Sequence, residues 1–376
     1  MSRETKHGVN GYIMIFTLLI IGAAMMIVTY IGHRGSFYLP FSHMVIAREK
    51  AKTLVLGGVQ IVIAQLAQSD KKDEKDQGQQ KEAKQEVTQE KKEEDTEKIP
   101  PAADQKKQMP EKDFLAKILP KLNHWQYFDL TQEKDGIDAR LGICLMSEEG
   151  KININRIIDF KKHIIKGTDQ KGWKAALPEL CKAIERLAGG SELYQAFEKI
   201  AKEAKFEFND ATELITRKEF SHFKDILFYQ PITSAKSKEK IYLTDIFTVW
   251  SSSDMVEPWL FSDSLCLLLG LQRSTVDDTK KRKEQVEGWL KNFKLRSNWQ
   301  QDWDTIFKPI YGKELRSLPK AIDSILSSHF SPRFFSARIH ATVDDVTQMV
   351  YVIFERVKSK HSAGEYDVEI KKLYWL

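Results

Sequence analysis

The side chains in this sequence that could take part in chemistry are scattered and follow no established catalytic spacing. Nine histidines are present, yet no two lie four residues apart, the spacing that binds zinc from one face of a helix. Isolated histidines such as His163, His222 and His340 are usually surface or packed residues. The sequence also contains neither a glycine-rich phosphate loop nor a nucleophile elbow. We therefore expect a protein that is not an enzyme.

Two acidic pairs could supply oxygen ligands to calcium, although neither has the spacing of an EF-hand loop. These pairs are Asp254 with Glu257 and Asp277 with Asp278. Both also suit positions that start a helix or form a turn. The sequence therefore leaves the metal content unknown.

Three cysteines do not fix the redox compartment. They lie far apart and lack metal-ligand spacing: Cys144, Cys181 and Cys266. One disulfide with one remaining thiol and three buried free thiols are both compatible with the sequence.

The charge balance gives no reason to expect nucleic-acid binding. The net charge of +5 is a small difference between 58 basic and 53 acidic residues. One basic run, 280–283, would suit a phosphate backbone, but acidic residues flank it: Asp277, Asp278, Glu284 and Glu287. This mixture is typical of a solvated helix face.

The N-terminal part of the chain predicts a membrane anchor. No charged side chain occurs from Gly8 to Gly32, and Tyr12–Ile31 is almost entirely apolar. About 20 apolar residues span the hydrocarbon core as a helix, because lipid offers the backbone no other partners. Bulky residues rather than a small-residue cleavage site follow the run, so we expect the helix to be retained. The basic residues on its two sides leave its orientation open.

The residues after the anchor continue a helical pattern. Apolar side chains recur on one broad face between Phe41 and Gln68, which favours a helix that lays this face on a globular head. A second membrane segment over Thr53–Ser69 is the competing interpretation, because that stretch is uncharged. It holds only about 17 residues, and the glutamines within it argue against a span.

A low-complexity segment separates this helix from the rest of the chain. Asp70–Lys112 consists largely of Lys, Glu, Gln and Asp and contains almost no apolar residue. Burial in such a segment cannot offset the entropy that is lost on ordering. We assign residues 69–113 to a charged, disordered linker.

Beyond the linker, strands give way to helices and then return. Apolar and polar residues alternate over Trp125–Leu145 and again over Phe335–Tyr374. The residues between these runs have helical spacing. We therefore assign residues 114–152 to the first part of a sheet, 153–333 to a helical domain and 334–376 to C-terminal strands.

This order predicts an α+β fold in which a large helical domain is inserted between the strands of one small antiparallel sheet. Alternation gives the sheet one apolar face, and the N-terminal helix is available to cover it. The helical domain should then have a separate core, which we expect to include Trp250, Leu267, Leu268, Trp289 and Phe293.

Several short motifs occur along the chain in an order typical of one protein family. Lys6-His7-Gly8 stands before Val9 and an apolar helix, as at a prepilin-peptidase site. The fifth residue after that bond is Ile13, where major pilins carry a glutamate. Farther on, the motif Gly150, Lys151, Asn153 and Asn155 follows the first strands. In this arrangement the chain resembles the GspK family, the large minor pseudopilins of type II secretion systems, which also lack the glutamate.

The resemblance implies a pilin-like N-terminal helix and a role without catalysis. Residues 1–8 would be a leader removed by prepilin peptidase between Gly8 and Val9, and residues 9–68 would form the transmembrane and stalk helix. A subunit with Ile13 in place of the glutamate suits the tip of a pseudopilus. The motif Gly150–Asn155 would open the inserted domain.

The resemblance also implies partners, a compartment and a cofactor. Other minor pseudopilins would assemble with the chain at the tip, and secreted cargo would contact it there. The chain would cross the inner membrane once, with its C-terminal domain on the periplasmic side. Calcium is the cofactor that the family suggests. The alternative function is a bitopic or two-span membrane scaffold subunit of another secretion or envelope complex, with a cytoplasmic domain. In the two-span version, Thr53–Ser69 would turn the chain back across the bilayer.

Overall fold

A long helix and a five-stranded sheet organise the chain in the computed structural model. The residues that the structure describes are 9–67, 110–229, 240–272, 279–291, 307–327, 332–359 and 366–376. The α-helices are α1 Val9–Ala67, α2 Pro110–Ile118, α3 Gln132–Asp135, α4 Ile154–Ile157, α5 Trp173–Ala188, α6 Leu193–Glu203, α7 Leu243–Ile246, α8 Asp263–Leu268, α9 Thr279–Lys291 and α10 Lys320–Asp323, with a further helical turn at 307–311. The 3-10 helices are Leu119–Lys121, Ala211–Thr216, Lys218–Ile226, Pro258–Leu260 and Leu315–Ser317.

The strands lie at both ends of the region that follows α2. They are β1 Trp125–Leu130, β2 Ala139–Ser147, β3 Ile152–Asn153, β4 Ile158–Asp159, β5 Ile164–Ile165, β6 Phe247–Thr248, β7 Phe334–Val343, β8 Val346–Lys358 and β9 Tyr366–Trp375. The main sheet is antiparallel and has the order β1-β2-β7-β8-β9. β2 pairs directly with β7, with Ile143 opposite Ile339, although about half of the chain lies between them. The α+β class, the antiparallel sheet and the apolar N-terminal helix are therefore as predicted.

A two-residue turn joins β7 to β8. Val343 pairs with Val346, so Asp344 and Asp345 form the loop. Asp344 has a φ of 49°, a left-handed conformation that aspartate tolerates better than most side chains do. Two successive aspartates thus suit this turn.

The C-terminal half of α1 lies along the strands of this sheet. Ala51 packs with Val343 at one end, and Leu66 lies beside Arg356 at the other. Between them the helix comes so close to the sheet that a Cβ on Gly58 would lie 2.7 Å from Ile339 Cγ2. α1 therefore runs parallel to β8, and the end of the sheet that holds the β7–β8 turn lies nearest to the N-terminal half of α1.

The helical region does not have the separate core that the sequence predicted. Buried apolar residues run without a break from Val55 of α1 through the sheet to Phe247 and Leu268. Trp250 instead packs on the second face of the sheet, with Tyr351. The reason is that β2 and β8 are apolar on both faces, so the sheet needs a second cover in addition to α1. Phe293, another residue of the predicted core, lies outside the described residues.

Most of the predicted linker and one of the two acidic pairs cannot be compared with the structure. Helix α2 begins at Pro110, within the last residues assigned to the linker. The rest of the segment at 69–113 lies outside the described residues, as do Asp277 and Asp278.

Candidate functional site

The N-terminal half of α1 is long and apolar enough to span a membrane. The segment Ile15–Gly32 has a mean hydropathy of 2.3, and none of it is buried. Its leucine, isoleucine and methionine side chains are more than half exposed. An apolar surface of this size is typical of a membrane interface.

The second half of α1 satisfies the same length and composition criteria, but its environment is different. Phe41–Ala67 is one-third buried. The buried members repeat at helical spacing and are at most 3% exposed: Ala47, Ala51, Val55, Val59, Val62 and Leu66. This stripe faces the sheet, so the helix is the cover of a folded head. The second membrane segment considered for Thr53–Ser69 therefore does not fit the structure.

The residues expected to govern processing and filament position lie at the start of this helix. Val9 is the first residue of α1, and Ile13 follows in its first turns. Gly8 lies outside the described residues.

The motif at 150–155 forms a buried junction where β2, β7 and the helical region meet. At Gly150 an added Cβ would lie 1.6 Å from the carbonyl oxygen of Leu260. The Gly150 carbonyl also accepts a hydrogen bond from the backbone N–H of Ser262, at 3.2 Å. Only a residue without a side chain allows this approach, which explains the glycine.

Lys151 forms an ion pair with Glu148 inside the junction. Both side chains are almost completely buried. The Lys151 Nζ also donates to the hydroxyls of Tyr351 at 3.2 Å and Ser336 at 3.4 Å, while Thr248 donates to the other Glu148 oxygen. Burial alone would lower the pKa of Lys151, but the adjacent Glu148 carboxylate raises it well above its usual value. The lysine therefore stays charged and connects the sheet to the helical region.

Glu149 points to the opposite side of the same turn and holds two further segments. Its carboxylate accepts from Ser252 N at 3.1 Å and from Ser252 Oγ at 3.0 Å. The backbone N–H groups of Arg333 and Phe334 also donate to it, both at 3.4 Å. Burial raises the pKa of Glu149 to about 7, against the opposing effect of these hydrogen bonds.

The two asparagines of the motif fix the backbone. Asn153 Nδ2 donates to Ser251 Oγ at 2.9 Å, and its Oδ1 accepts from the backbone of Asn155. Asn155 makes reciprocal hydrogen bonds of 2.8 Å with the N–H and the carbonyl of Phe208. All four motif residues thus have structural partners that tie β3 to the helical region.

The acidic residues proposed as calcium ligands do not fit a calcium site. Arg156 Nε and Lys166 Nζ each lie 3.5 Å from a carboxylate oxygen of Asp254, so cationic side chains surround this carboxylate. Glu257 is 1% exposed, and its backbone N–H donates to the Glu149 carbonyl. In the part of the chain that the structure describes, no group of three or more His, Cys, Asp or Glu side chains could hold a metal ion. The suggestion of calcium is therefore not supported by these residues.

The cysteines and histidines singled out in the sequence lie apart from one another. All three cysteines are buried free thiols, the second of the two alternatives above. Burial lowers the pKa of both His222 and His340. His163 has a φ of 56° between β4 and β5. The structure brings none of these three histidines to the Lys151–Glu148 junction.

Several residues of the junction escaped the sequence analysis. Glu148 and Glu149 were not singled out, and Ser336 and Tyr351 were ordinary members of alternating strands. The signal available in the sequence was a charged residue at the end of an otherwise apolar strand. It applies also to Arg356 near the end of β8, which is 7% exposed.

The comparisons with known proteins give a distant structural resemblance. No protein-family model and no curated protein matches the sequence. Among solved structures, the chain resembles a chain of the crystal structure of the GspK-GspI-GspJ complex from the type 2 secretion system of enterotoxigenic Escherichia coli. The identity is 11% and the TM-score is 0.35, over 67% of this chain and 83% of that chain.

Proposed function

We propose that this chain is a minor pseudopilin of a type II secretion, or type IV pilus-like, system. The observation that carries the proposal is the division of α1 into two halves. Ile15–Gly32 is apolar and exposed, and the same helix continues into a half whose buried stripe covers an antiparallel sheet. A helix built in this way anchors the head in a membrane and lets apolar helices of neighbouring subunits pack side by side.

The direction of α1 supports this arrangement. About 15 residues separate Gly32 from Ala47, the first buried residue of the packed half, which corresponds to roughly 20 Å along a helix axis. The β7–β8 turn is the end of the sheet nearest to the membrane segment. The head would therefore stand clear of the bilayer on a short helical stalk. As part of the same proposal, we place it on the periplasmic side of the inner membrane.

We place the chain at the tip of the filament. Ile13 occupies the position at which a glutamate would contact the amino terminus of the next subunit, so this contact is missing. We also infer that residues 148–333 are an insertion between the paired strands β2 and β7, because the chain leaves the sheet after Ser147 and returns at Phe334. Such a bulky region would obstruct a subunit stacked above. The partners are other minor pseudopilins, prepilin peptidase and secreted cargo, without catalysis by this chain.

A substitution at Ile13 tests the tip assignment. If the missing glutamate confines the protein to the tip, Ile13→Glu should allow it to pack within the filament body. Immunogold labelling should then find the variant along filaments, while Val28→Ile, farther along the same helix, should leave the label at the ends. Labelling of Ile13→Glu at filament ends alone would contradict this account.

The bitopic scaffold remains the second candidate, because the single apolar segment Ile15–Gly32 would also anchor a scaffold whose head lies on the cytoplasmic side. Protease accessibility of the Lys-rich segment at 70–109 distinguishes the two. Digestion from the outer side of the inner membrane is the result expected of a pseudopilin. Protection on that side, with digestion from the cytoplasmic side, would favour the scaffold.

A further inference from the structure

The two edges of the main sheet differ in their protection against further strands. β9 carries four charged residues in ten: Asp367, Glu369, Lys371 and Lys372. A register shift between Ile353 and Phe354 also interrupts its pairing with β8. Charges and irregularities of this kind prevent another strand from adding to an edge.

β1 forms the opposite edge and lacks these devices. Its six residues contain one charge, on Asp129, and they pair with β2 without a register shift. Among the described residues, no strand pairs with the outer side of β1. Such an edge presents backbone N–H and C=O groups in a row, and another extended chain is the partner that pairs them.

Apolar side chains flank the β1 edge on both faces of the sheet. Tyr127 is 43% exposed and Phe128 is 37% exposed, and successive residues of a strand point to opposite faces. On the first face, the Trp125 ring stacks on Tyr127 with centroids 5.9 Å apart, and the Arg140 guanidinium lies 4.3 Å over the Tyr127 ring. An added strand would bury aromatic surface on both of its faces.

We propose that the outer edge of β1 binds an extended strand of a different polypeptide by strand addition. The backbone of that strand would pair with β1, and its alternating apolar residues would pack beside Tyr127 and Phe128. The edge itself is independent of the proposed function. The choice of a different polypeptide over a second copy rests on the membrane anchoring proposed above.

Antiparallel pairing of β1 with a second copy is excluded by the direction of α1. Antiparallel pairing of β1 with its own copy requires a two-fold axis perpendicular to the sheet. α1 lies along the strands, from Ala51 beside Val343 to Leu66 beside Arg356. The two-fold axis would therefore point the apolar halves of the two helices in opposite directions, and both could not enter one membrane.

Peptide binding to the full-length chain in detergent micelles tests the proposal. The probe is a fluorescein-labelled nine-residue peptide of alternating valine and threonine, compared with the same peptide N-methylated at every second residue. We expect N-methylation to weaken binding by about tenfold or more, because it removes the backbone donors on one side. Tyr127→Lys should have a similar effect, and its fold can be checked independently by the unfolding midpoint. The matched control is Ile370→Lys on β9, where the native side chain is 45% exposed.

Three results would overturn the proposal. These are absence of saturable binding, equal affinity for the methylated peptide, and equal loss of affinity in Ile370→Lys. A disulfide-linked dimer of a Phe128→Cys variant in membranes would show a second copy at this edge and would overturn the choice of partner. Failure of the pseudopilin assignment would leave the peptide results unchanged, so the two failures are distinguishable.

Discussion

Arg356 Nε donates a hydrogen bond of 3.0 Å to the carbonyl of Leu66, in the last turn of α1. The guanidinium lies 3.7 Å over the Phe114 ring and 3.4 Å over the Tyr366 ring. A cation at this point satisfies a terminal carbonyl and opposes the negative end of the helix dipole. One side chain of β8 thus fixes the end of the helix whose other end we assign to the membrane.

Arg356→Lys should destabilise the head by about 1–3 kcal/mol, because lysine keeps the charge but loses the planar stack and the Nε donor. Chemical unfolding of the full chain in detergent, followed by tryptophan fluorescence, measures the effect. The control is Arg140→Lys, which removes a similar ring contact at an exposed site and should change stability by less than about 0.5 kcal/mol. Equal effects would mean that Arg356 contributes no more than a surface contact.

Gly150→Ala should destabilise the protein severely, by roughly 3 kcal/mol or more, since the new methyl group would overlap the Leu260 carbonyl. The backbone at Gly150 and the backbone at Leu260 would have to move apart. Gly57→Ala is the matched control, because nothing lies within 4 Å of an added Cβ there and α1 is helical. That change should stabilise by about 0.5–1 kcal/mol. A tolerated alanine at Gly150 would contradict the described junction.

The Lys151–Glu148 pair should behave as a coupled buried unit. Lys151→Met leaves the Glu148 carboxylate buried without its cation, which we expect to cost about 3–5 kcal/mol. The double variant Lys151→Met/Glu148→Gln should recover at least about 1 kcal/mol of this loss. Free energies of unfolding of the unchanged chain, the two single variants and the double variant form the cycle. Strictly additive losses would show that the two groups do not interact.

The burial of Glu149 predicts a pH dependence of stability. The folded-state pKa is raised from 4.5 to about 7, so the native state binds more protons than the unfolded state in this interval. The free energy of unfolding should therefore fall as pH rises from about 4.5 to about 7, by up to about 3 kcal/mol from this group. Burial raises the pKa of Asp245 to about 6, which adds a smaller change of the same sign.

Glu149→Gln provides the test of this assignment. It should remove the slope between about pH 6 and pH 7 and reduce it between about pH 4.5 and pH 6, where Asp245 still titrates, whereas Asp245→Asn should reduce only the slope below about pH 6. A Glu149→Gln profile as steep as that of the unchanged chain would assign the titration to another group.

The sheet could be predicted because its pattern is local and repeated. Alternation at Leu141, Ile143 and Leu145 marks one buried face, and the same alternation at Phe335–Val343 marks its partner. The apolar stripe of α1 was the surface outside the helical region that could cover this face of the sheet. These regularities were sufficient to predict that the strands before and after the helical region share one antiparallel sheet and that α1 packs on it.

The cover of the second face and the junction could not be predicted, because the contacts that form them are neither local nor repeated in the sequence. Tyr351 and Ile353 lie in a strand that is apolar on both faces, so alternation does not indicate a second cover. Glu148 finds its partners Thr248 and Ser336 far away in sequence. Arg156 and Lys166, which surround Asp254, are likewise distant from it, so the acidic residue resembled a free ligand.

Determination of the mature N terminus tests the central claim most directly. The full chain is expressed with its secretion system, isolated from the inner membrane and analysed by intact mass and N-terminal sequencing. A pseudopilin should begin at Val9, and a Gly8→Asp variant should retain the leader. A chain that begins at Met1 or Ser2, or one cleaved beyond Ile31, would contradict the proposed function.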